Sequence, residues 1–401
     1  PITDGPHETP VFLNEGVEFL SVDGIQDGEL AFEGKRFISY EDHARFCKKA
    51  KPKINDVLVG KSASVGKVAR VKTSNDFNVW SPLAILRSDP TKCNPAYLEF
   101  ALKADSAQQQ ILLAGNTSTQ ANIGMDRLAS VGIPLPPISE QHQLTKAIEQ
   151  ETARIEALIA KKTRFIELLK EKRQAIITHA VTKGLDPNVK MKDSGAKWLG
   201  DIPEHWEFVP SNSLFPESKE RAWPEDEHLS ATQKYGVIPL AEYERLEERQ
   251  VTHAVKNLDQ RKHAEVGDFV ISMRSFEGGI ERVKARGCVR SSYVVLKASE
   301  NAHIGFFTYL FKSGAYIQGL QATATFIRDG QDLSYNNFRQ VKLPCPNLAE
   351  QKSIADFLDK SVSRIDGLAE KTQRSINLLK ERRSAFITAA VTGQIDLRES
   401  A

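Results

Sequence analysis

The sequence predicts a mixed α/β protein in which two globular domains alternate with two long helices that pack as an antiparallel coiled coil. Three observations predict this fold class. Residues 139–181 contain no Gly or Pro, and their apolar side chains recur at the three-and-four spacing of an amphipathic helix. Residues 349–391 repeat this pattern 210 positions later. The residues before each helix show short apolar runs separated by turn residues, which is typical of strands and short helices.

The repeat extends beyond the helices themselves. Segments 134–186 and 344–396 share 22 identical residues in 53 positions without a gap. A repeat of this length indicates two copies of one unit, each a globular domain followed by a helix. Each helix would be roughly 60 Å long at about 1.5 Å per residue, so it needs a partner of similar length to cover its apolar stripe. We expect the two helices to be partners of each other, with a pseudo-two-fold relation between the copies.

The repeat divides the chain into four segments. We expect a first globular domain at 1–138, a long helix at 139–186, a second globular domain at 187–346 and a second long helix at 347–401. The opening of the second unit, residues 190–210, would have its counterpart before Pro1. We therefore expect that about 20 residues of the first domain are missing from this sequence, and the alternative is a first unit that begins later.

Composition restricts the class of protein. The formal net charge is +2, from 54 basic and 52 acidic residues, so any nucleic-acid site has to be a local cluster. The four cysteines are isolated, which argues against a disulfide framework or a cysteine-rich zinc site and favours a reducing cytoplasm. No apolar run approaches the roughly 20 residues of a membrane span, and the first residues are polar rather than signal-like.

The first domain is predicted to contain a hairpin, a further strand, a capped helix and a polar loop. These elements are expected at residues 54–59 and 67–71 for the hairpin, 83–86 for the strand, 95–103 for the helix and 114–124 for the loop. Asn94 is the predicted helix cap. The prolines of 134–137 end the domain and precede the first long helix.

The second domain repeats these landmarks in the same order. The corresponding runs are 268–271, 282–283, 294–296, 306–312 and a loop at 325–334. The framework recurs, but the two loops differ strongly in sequence.

Several of these residues resemble a known family. The paired proline, Glu-Gln and long-helix segments at 134–181 and 344–391 resemble the conserved regions of specificity subunits of type I restriction–modification systems. Residues 191–207 resemble the usual start of a target recognition domain in that family. The resemblance covers nearly the whole chain. It implies a non-catalytic subunit whose two target recognition domains, 1–138 and 187–346, read a split DNA sequence.

The resemblance also implies partners. Members of that family hold two DNA methyltransferase subunits and, in the full complex, restriction–translocation subunits. Methyl donor, ATP and magnesium would belong to those partners, so we expect no cofactor and no metal on this chain.

Two short motifs look like enzyme sites, but their contexts favour structural roles. Gly60-Lys61-Ser62 looks like the end of a phosphate-binding loop, yet Asn55 stands where the first Gly of that pattern is required. A hairpin turn explains the motif. Asn94-Pro95-Ala96-Tyr97 is similar to the Asn-Pro-Pro-Tyr motif of amino-methyltransferases, yet no glycine-rich cofactor loop accompanies it, and helix capping explains Asn94. We therefore expect no catalytic residue.

Contacts to DNA would come from a basic run and from the loops. Residues 44–72 hold nine positive side chains and Asp56 as their single acidic residue, which predicts phosphate contacts. Base edges are read by Arg, Gln, Asn, Ser and Thr, and the divergent loops are what two different half-site readers would have. The predicted DNA-binding residues are Lys48, Lys49, Lys51, Lys61, Ser62, Thr119 and Gln120 in the first domain and Arg274, Ser275 and Arg328 in the second.

Two other classes of function stay open on the sequence. A self-contained DNA methyltransferase would need a cofactor loop that we do not find. A coiled-coil adaptor that does not bind DNA would show no salt-dependent affinity for duplex. If the chain reads DNA, a rod of roughly 60 Å spans on the order of 18 base pairs, so the two half-sites would flank an unread spacer.

Overall fold

The computed structural model describes residues 1–34, 36–115, 122–251, 260–272, 275–323 and 334–397, without the side chain of residue 276. The chain divides into two compact units. Unit 1 combines Pro1–Arg164 with Thr372–Ala401, and unit 2 is Phe165–Lys371.

In its described residues, unit 1 contains short strands, four short α-helices, a 3-10 turn at Val22–Gly24, the first part of one long helix and the last part of another. The strands are β1 (Ile2–Asp4), β2 (Val17–Leu20), β3 (Ile25–Gln26), β4 (Glu29–Leu30), β5 (Arg36–Ile38), β6 (Val57–Gly60), β7 (Val68–Arg70), β8 (Phe77–Val79) and β9 (Leu83–Leu86). The helices are α1 (Tyr40–Cys47), α2 (Pro95–Lys103), α3 (Asp105–Ala114), α4 (Met125–Ala129) and α5 (Ile138–Lys183), of which the last continues into unit 2.

Unit 2 is built from the same kinds of element. Its strands are β10 (Met191–Asp193), β11 (Asp201–Pro203), β12 (Glu207–Pro210), β13 (Glu217–Ser218), β14 (Leu229–Thr232), β15 (Gly236–Pro239), β16 (Lys262–Ala264), β17 (Phe269–Ile271), β18 (Glu281–Arg282), β19 (Gly287–Val289), β20 (Val294–Leu296) and β21 (Lys342–Cys345). Its helices are α6 (Ser211–Leu214), α7 (Leu240–Glu247), α8 (Ser275–Gly278), α9 (Ile304–Leu310), α10 (Gly314–Gln321), α11 (Tyr335–Phe338) and α12 (Leu348–Val391), of which the last continues into unit 1.

A four-stranded antiparallel sheet in the order β1-β9-β6-β7 forms the centre of unit 1. Successive residues of β6 point to opposite faces, and both faces are covered. Leu58 belongs to one apolar cluster, with Ile85, whereas Val57 and Val59 belong to another, with Val68. Because both faces are buried, the strand is apolar throughout rather than alternating.

Unit 2 has a sheet of the same order, β13-β20-β17-β18, again antiparallel throughout. This equivalence confirms the predicted internal repeat at the level of strand order. The accessory strands differ. Unit 1 adds the sheet β5-β2-β8, in which β2 and β8 are parallel, whereas unit 2 adds the pairs β14-β15 and β16-β19.

The two long helices run antiparallel within each unit. In unit 1, Leu144 and Ile148 of α5 share a core cluster with Ile387 and Val391 of α12, and Glu156 forms an ion pair with Arg383. In unit 2, the end of α5 packs against the start of α12 through the buried residues Ile177, Val181, Ile354 and Leu358. The antiparallel pairing predicted from the repeat is therefore confirmed inside each unit.

The apolar stripe is less continuous than the sequence predicts. Leu158, Phe165 and Leu368 follow the three-and-four spacing of the predicted stripe, yet they are 41%, 44% and 41% exposed. A pair of helices covers a narrow seam, so apolar residues at its edge keep contact with solvent. None of the helices in the described residues has an apolar stretch long enough to cross a membrane.

Most of the predicted elements are found within a few residues of their expected limits. The strand 83–86 and the helix 95–103 match β9 and α2 at both ends. The strand predicted from residue 54 begins only at Val57, because Asn55 has a φ of 72° and cannot continue a strand.

The segment that opens the second globular domain, residues 190–210, packs within unit 2. Trp206 is fully buried, lies edge-on against Phe306 and donates from Nε1 to Glu350 Oε1 at 3.0 Å. Leu199 and Ile202 are buried in the same cluster.

Candidate nucleic-acid interface

Lys48, Lys49 and Lys51 lie at the C-terminal end of α1. This helix begins at a Ser39 cap, whose side chain accepts a hydrogen bond from Asp42 N at 3.0 Å. The apolar side of α1 is anchored by the buried Phe46, so the lysines that follow lie towards solvent. A cation at a helix C-terminus is also favoured by the helix dipole.

Two of the predicted phosphate contacts share one carboxylate inside unit 1. Lys49 Nζ lies 2.7 Å from Asp4 Oδ1, and Lys61 Nζ lies 2.8 Å from Asp4 Oδ2. Burial alone would raise the pKa of Asp4, but the hydrogen bonds from both lysines outweigh it and hold the pKa below its ordinary value. Lys61 is only 11% exposed in this arrangement. The pair therefore fixes β1, which carries Asp4, to the sheet.

Most of the basic run is neutralised by acidic residues from elsewhere in the chain. The cations with a carboxylate partner are Arg45, Lys49, Lys51, Lys61, Arg70 and Lys72. Asp56 is the single acidic residue within 44–72, and the carboxylate partners of these cations lie elsewhere in the chain. These ion pairs could therefore not be predicted from the run itself. Within the described residues, Lys48 and Lys53 are exposed and form no ion pair.

The turn that carries Ser62 lies next to the polar loop of unit 1. Ser62 forms a backbone bridge with Asn122, and Ile123 N donates to Lys61 O at 2.8 Å. The structure therefore brings the hairpin turn together with the last residues of the loop. Thr119 and Gln120, the two predicted base-reading residues of this loop, lie outside the described residues.

Ser275 is placed in the interior of unit 2. It is 1% exposed, and its Oγ accepts from Ser272 N at 2.9 Å. A serine held in this way cannot reach a base edge without opening the turn, so its hydroxyl fixes the turn rather than facing a ligand. Arg274, which precedes it, and Arg328 lie outside the described residues.

The two enzyme-like motifs have the structural roles expected of them. Gly60 ends β6, and Gly66 N donates to Gly60 O at 2.9 Å, so Gly60-Lys61-Ser62 belongs to a hairpin connection. Asn94 Oδ1 accepts from Ala96 N and Tyr97 N and caps α2. Among the described residues, no group of three or more His, Cys, Asp and Glu side chains could hold a metal ion.

A cluster of aromatic and charged side chains around the buried His263 in unit 2 was not predicted. Trp223 stacks on His263 with ring centroids 3.9 Å apart, and the Arg286 guanidinium lies 4.4 Å from the Trp223 ring centre. His263 lies between Asp226, at 2.8 Å, and Glu265, at 3.0 Å. Trp223, His263 and Arg286 are far apart in sequence and belong to no recognisable motif, so the sequence holds no signal for the cluster.

Comparisons with known proteins agree with this architecture. A family model, the type I restriction modification DNA specificity domain, matches residues 12–168 and 203–378. The MjaX specificity subunit of a type I restriction enzyme from Methanocaldococcus jannaschii is 24% identical over 356 residues, which are 86% of this chain and 79% of that protein.

Two solved structures share the fold. A chain from a structure on complex assembly and conformational transition of the type I R-M system matches with a TM-score of 0.69 at 15% identity, covering 98% of this chain and 95% of that one. The HsdS subunit from Thermoanaerobacter tengcongensis matches with a TM-score of 0.50 at 15% identity, covering 98% of this chain and 94% of that one.

Proposed function

The chain belongs to the type I restriction modification DNA specificity family, and from this premise we propose that it is the subunit that selects the DNA sequence in a type I restriction–modification complex. It has no catalysis of its own. Each unit reads one half of a bipartite target. The observation that carries this proposal is the shared sheet order of the two units combined with their different accessory strands.

This function is favoured over the two alternatives. The family match covers both globular parts, which a coiled-coil adaptor without DNA binding would not need. A self-contained methyltransferase is not favoured either, because Asn94, the residue that its motif would use, is occupied with capping α2.

We propose that phosphate contacts in unit 1 come chiefly from Lys48, Lys51 and Lys53. Lys48 and Lys53 have no ion pair among the described residues to give up. Lys51 pairs with the exposed Asp76, and exposed ion pairs contribute little to stability, so DNA phosphate can replace Asp76 at little cost. Lys49 and Lys61 hold Asp4 and act by positioning β1 beside the turn of Ser62.

Base reading is proposed for Thr119 and Gln120 in unit 1 and for Arg274 and Arg328 in unit 2. Their residue types are those that bond base edges in the major groove. In unit 1 the proposal is supported by the backbone bridge between Ser62 and Asn122, since it joins the loop to the lysine-bearing turn. Ser275 has a positioning role for Arg274.

The partners are proposed from the family. The chain would hold two DNA methyltransferase subunits and join restriction–translocation subunits, and its cofactor chemistry would stay with them. We retain the limits 1–138 and 187–346 for the target recognition domains and 139–186 and 347–401 for the helical segments. Isolated cysteines, all free in the structure, favour work in the reducing cytoplasm.

Methylome sequencing tests this function directly. Cells that carry the complex with this chain should show methylation at a split sequence that is absent without it. Replacing Thr119 and Gln120 with Ala should relax one half-site only, by about 1–3 kcal/mol for each lost base contact. Replacing Arg274 should affect only the other half. If the unit 1 variant changed the bases read in both halves, the model of two independent readers would have to be abandoned.

The phosphate contacts have a separate test. Replacing Lys48, Lys51 and Lys53 together with Gln should weaken all duplexes alike and reduce the dependence of affinity on salt. A loss of affinity confined to one sequence would contradict the phosphate role.

A further inference from the structure

The hairpin β14–β15 of unit 2 carries a short turn at residues 233–235. Its two strands pair antiparallel over four residues each. Gln233 and Lys234 of the turn are exposed. A two-stranded ribbon of this kind fits the major groove of duplex DNA, which is about 12 Å wide. The hairpin therefore has a shape that a DNA groove can accommodate.

The turn lies against the connection between β17 and β18. A Cβ placed on Gly278, in that connection, would lie 2.4 Å from Gln233 Cδ, so the glutamine side chain covers the Gly278 backbone. The hairpin is also bonded to the residues after β18, since Lys284 N donates to Val237 O at 2.9 Å. The same connection contains Arg274, the proposed base reader of unit 2. The turn therefore adjoins a part of unit 2 for which DNA contact is already proposed.

Hydrogen bonds fix the conformation of the turn. Thr232 Oγ1 accepts from Tyr235 N at 3.0 Å and donates to Gly236 O at 3.0 Å. Glu247 of α7 accepts from Tyr235 Oη at 3.0 Å and lies 3.3 Å from Lys234 Nζ. A segment that is ordered before binding loses less conformational entropy when a ligand binds. The turn is therefore suited to contact a ligand in the conformation that it already has.

Gln233 and Lys284 have the chemistry for a base edge beside a phosphate. A glutamine amide can bond the N6 and N7 edge of adenine with two hydrogen bonds. Lys284 is exposed, and its Cε would lie 3.4 Å from a Cβ on Gly236, so the lysine lies over the end of the turn. Phosphate contacts fix the position of a protein on the duplex, and base contacts distinguish sequences. The two side chains could therefore divide these roles.

The charges around the turn favour a base contact over general anion binding. Lys234 is paired with Glu247, and Glu277 is an exposed carboxylate of the β17–β18 connection. The cations are therefore balanced by acids, and net charge alone would not hold an anion here. The distinguishing group of the turn is the Gln233 amide.

The corresponding hairpin of unit 1 has different chemistry. β3 and β4 pair antiparallel and lie beside β7, as β14 and β15 lie beside β18, the strand at the same position in the sheet order. The β3–β4 turn carries the exposed acids Asp27 and Glu29. Carboxylates are repelled by DNA phosphates, so this turn is not suited to a groove. The contact is therefore expected in unit 2 and not in unit 1.

We infer that the β14–β15 turn enters the DNA groove at the half-site of unit 2, where Gln233 contacts a base edge and Lys284 contacts a neighbouring phosphate. Gln233 is then a specificity-determining residue in addition to Arg274, an assignment that rests on the proposed function. Tyr235 and Glu247 position the turn and do not contact DNA.

The base contact is tested by methylome sequencing of cells that carry the complex with Gln233→Ala. One base position in one half-site should be relaxed, with discrimination reduced about tenfold, and the other half-site should be unchanged. Gln233→Glu should shift the preference at that same position towards cytosine, because a carboxylate accepts from cytosine N4. Gln26→Ala is the matched control, since Gln26 is an exposed glutamine of the β3–β4 hairpin, and the recognised sequence should not change.

The phosphate contact is tested by duplex binding of the complex. Lys284→Gln should weaken binding to all duplexes alike and lower the slope of log affinity against log salt by about one. Lys197→Gln is the control, because Lys197 is an exposed lysine in the opening segment of the same domain, and it should bind as wild type does. If Lys284→Gln binds DNA as Lys197→Gln does, the phosphate contact is overturned.

Three outcomes contradict the base contact. The wild-type sequence may be retained by both Gln233 variants, or Gln233→Ala may lower methylation at every site without relaxing any base position, as a purely structural role would. Gln26→Ala may relax a position equally. In each case the wild-type complex still methylates a split sequence, so the proposed function stands. Failure of the proposed function would instead appear as absence of sequence-specific methylation by the wild-type complex, which would overturn both.

Discussion

Gln141 and Gln351 occupy equivalent positions in the first turns of the two long helices, and both are fully buried. The Gln141 amide donates to Lys92 O at 3.1 Å and Pro136 O at 2.8 Å, and its carbonyl accepts from Asn94 N at 2.8 Å. Gln351 makes the same set, donating to Asn301 O and Pro346 O and accepting from His303 N. Each glutamine thus ties a helix start to the loop before the adjacent short helix.

Replacing Gln141 with Leu should lower the free energy of unfolding by about 3 kcal/mol, because it leaves buried backbone groups without partners. Urea denaturation measures this change. Gln143→Leu, at an exposed position on the same helix, should change stability by no more than about 0.5 kcal/mol. Equal changes in the free energy of unfolding for the two variants would show that the buried hydrogen bonds of Gln141 do not stabilise the protein.

His263 gives unit 2 a pH-dependent contribution to stability. Burial by itself lowers the pKa of His263, but hydrogen bonds to Asp226 and Glu265, with the nearby Glu220 charge, outweigh it and raise the pKa above its ordinary value. A folded-state pKa above the unfolded value of about 6.5 means that the stabilisation is complete below that pH. It is lost as the pH rises through the folded-state pKa.

The stability difference between wild type and His263→Gln should therefore be largest at low pH and should narrow as the pH rises. Denaturation of both proteins across a pH series measures it. His179→Gln removes an exposed histidine and should follow the wild-type profile. A stability difference that stayed constant with pH would show that the charge on the His263 imidazole does not contribute to stability.

At the scale of elements, both long helices end at a glycine with left-handed backbone. Gly184 has a φ of 77° and Gly393 a φ of 72°, and these conformations close a helix C-terminus. Gly367 differs, since it lies inside α12, where a side chain would meet nothing within 4 Å. Glycine therefore stabilises the chain at the end of a helix and destabilises it inside a helix.

Gly393→Ala should destabilise the protein by about 1 kcal/mol, because an alanine is strained at positive φ. Gly367→Ala should instead stabilise it by up to about 1 kcal/mol through helix propensity. Thermal unfolding of the two variants compares them. Shifts in the same direction would contradict this assignment of backbone roles.

Local signals explain which elements could be predicted. The strand 83–86 and the helix 95–103 have continuous apolar runs and a strong cap at Asn94, and both match the structure. The accessory strands β2, β5 and β8 are three or four residues long and pair across distant parts of the chain, so no local pattern specifies them. The same limit applies to the site. The sequence shows the lysines at 48, 49 and 51. It does not show that Asp4 neutralises Lys49 and that Asp76 neutralises Lys51.

At the scale of the whole molecule, the length of the helices should set the spacer between the half-sites. Inserting one helical turn into each of α5 and α12 adds about 5.4 Å, which corresponds to one or two base pairs. We expect methylome sequencing to show a longer spacer with both half-sites unchanged. An unchanged spacer would show that helix length does not set the spacer. It would not contradict the proposal that each unit reads one half-site.

The division of the chain into units has a consequence for its synthesis. Unit 1 needs Ile387, Ala390 and Val391 to complete the cluster around Tyr97 and Ile148, yet Phe165–Lys371 must be translated first. At about 5–20 residues per second, the ribosome takes roughly 10 to 40 seconds to make that stretch. During this time Leu144 and Ile148 lack the part of α12 that covers them. Unit 1 therefore cannot complete its core until the end of the chain has been synthesised. A nonsense codon anywhere in the second unit would also leave the first one unfinished.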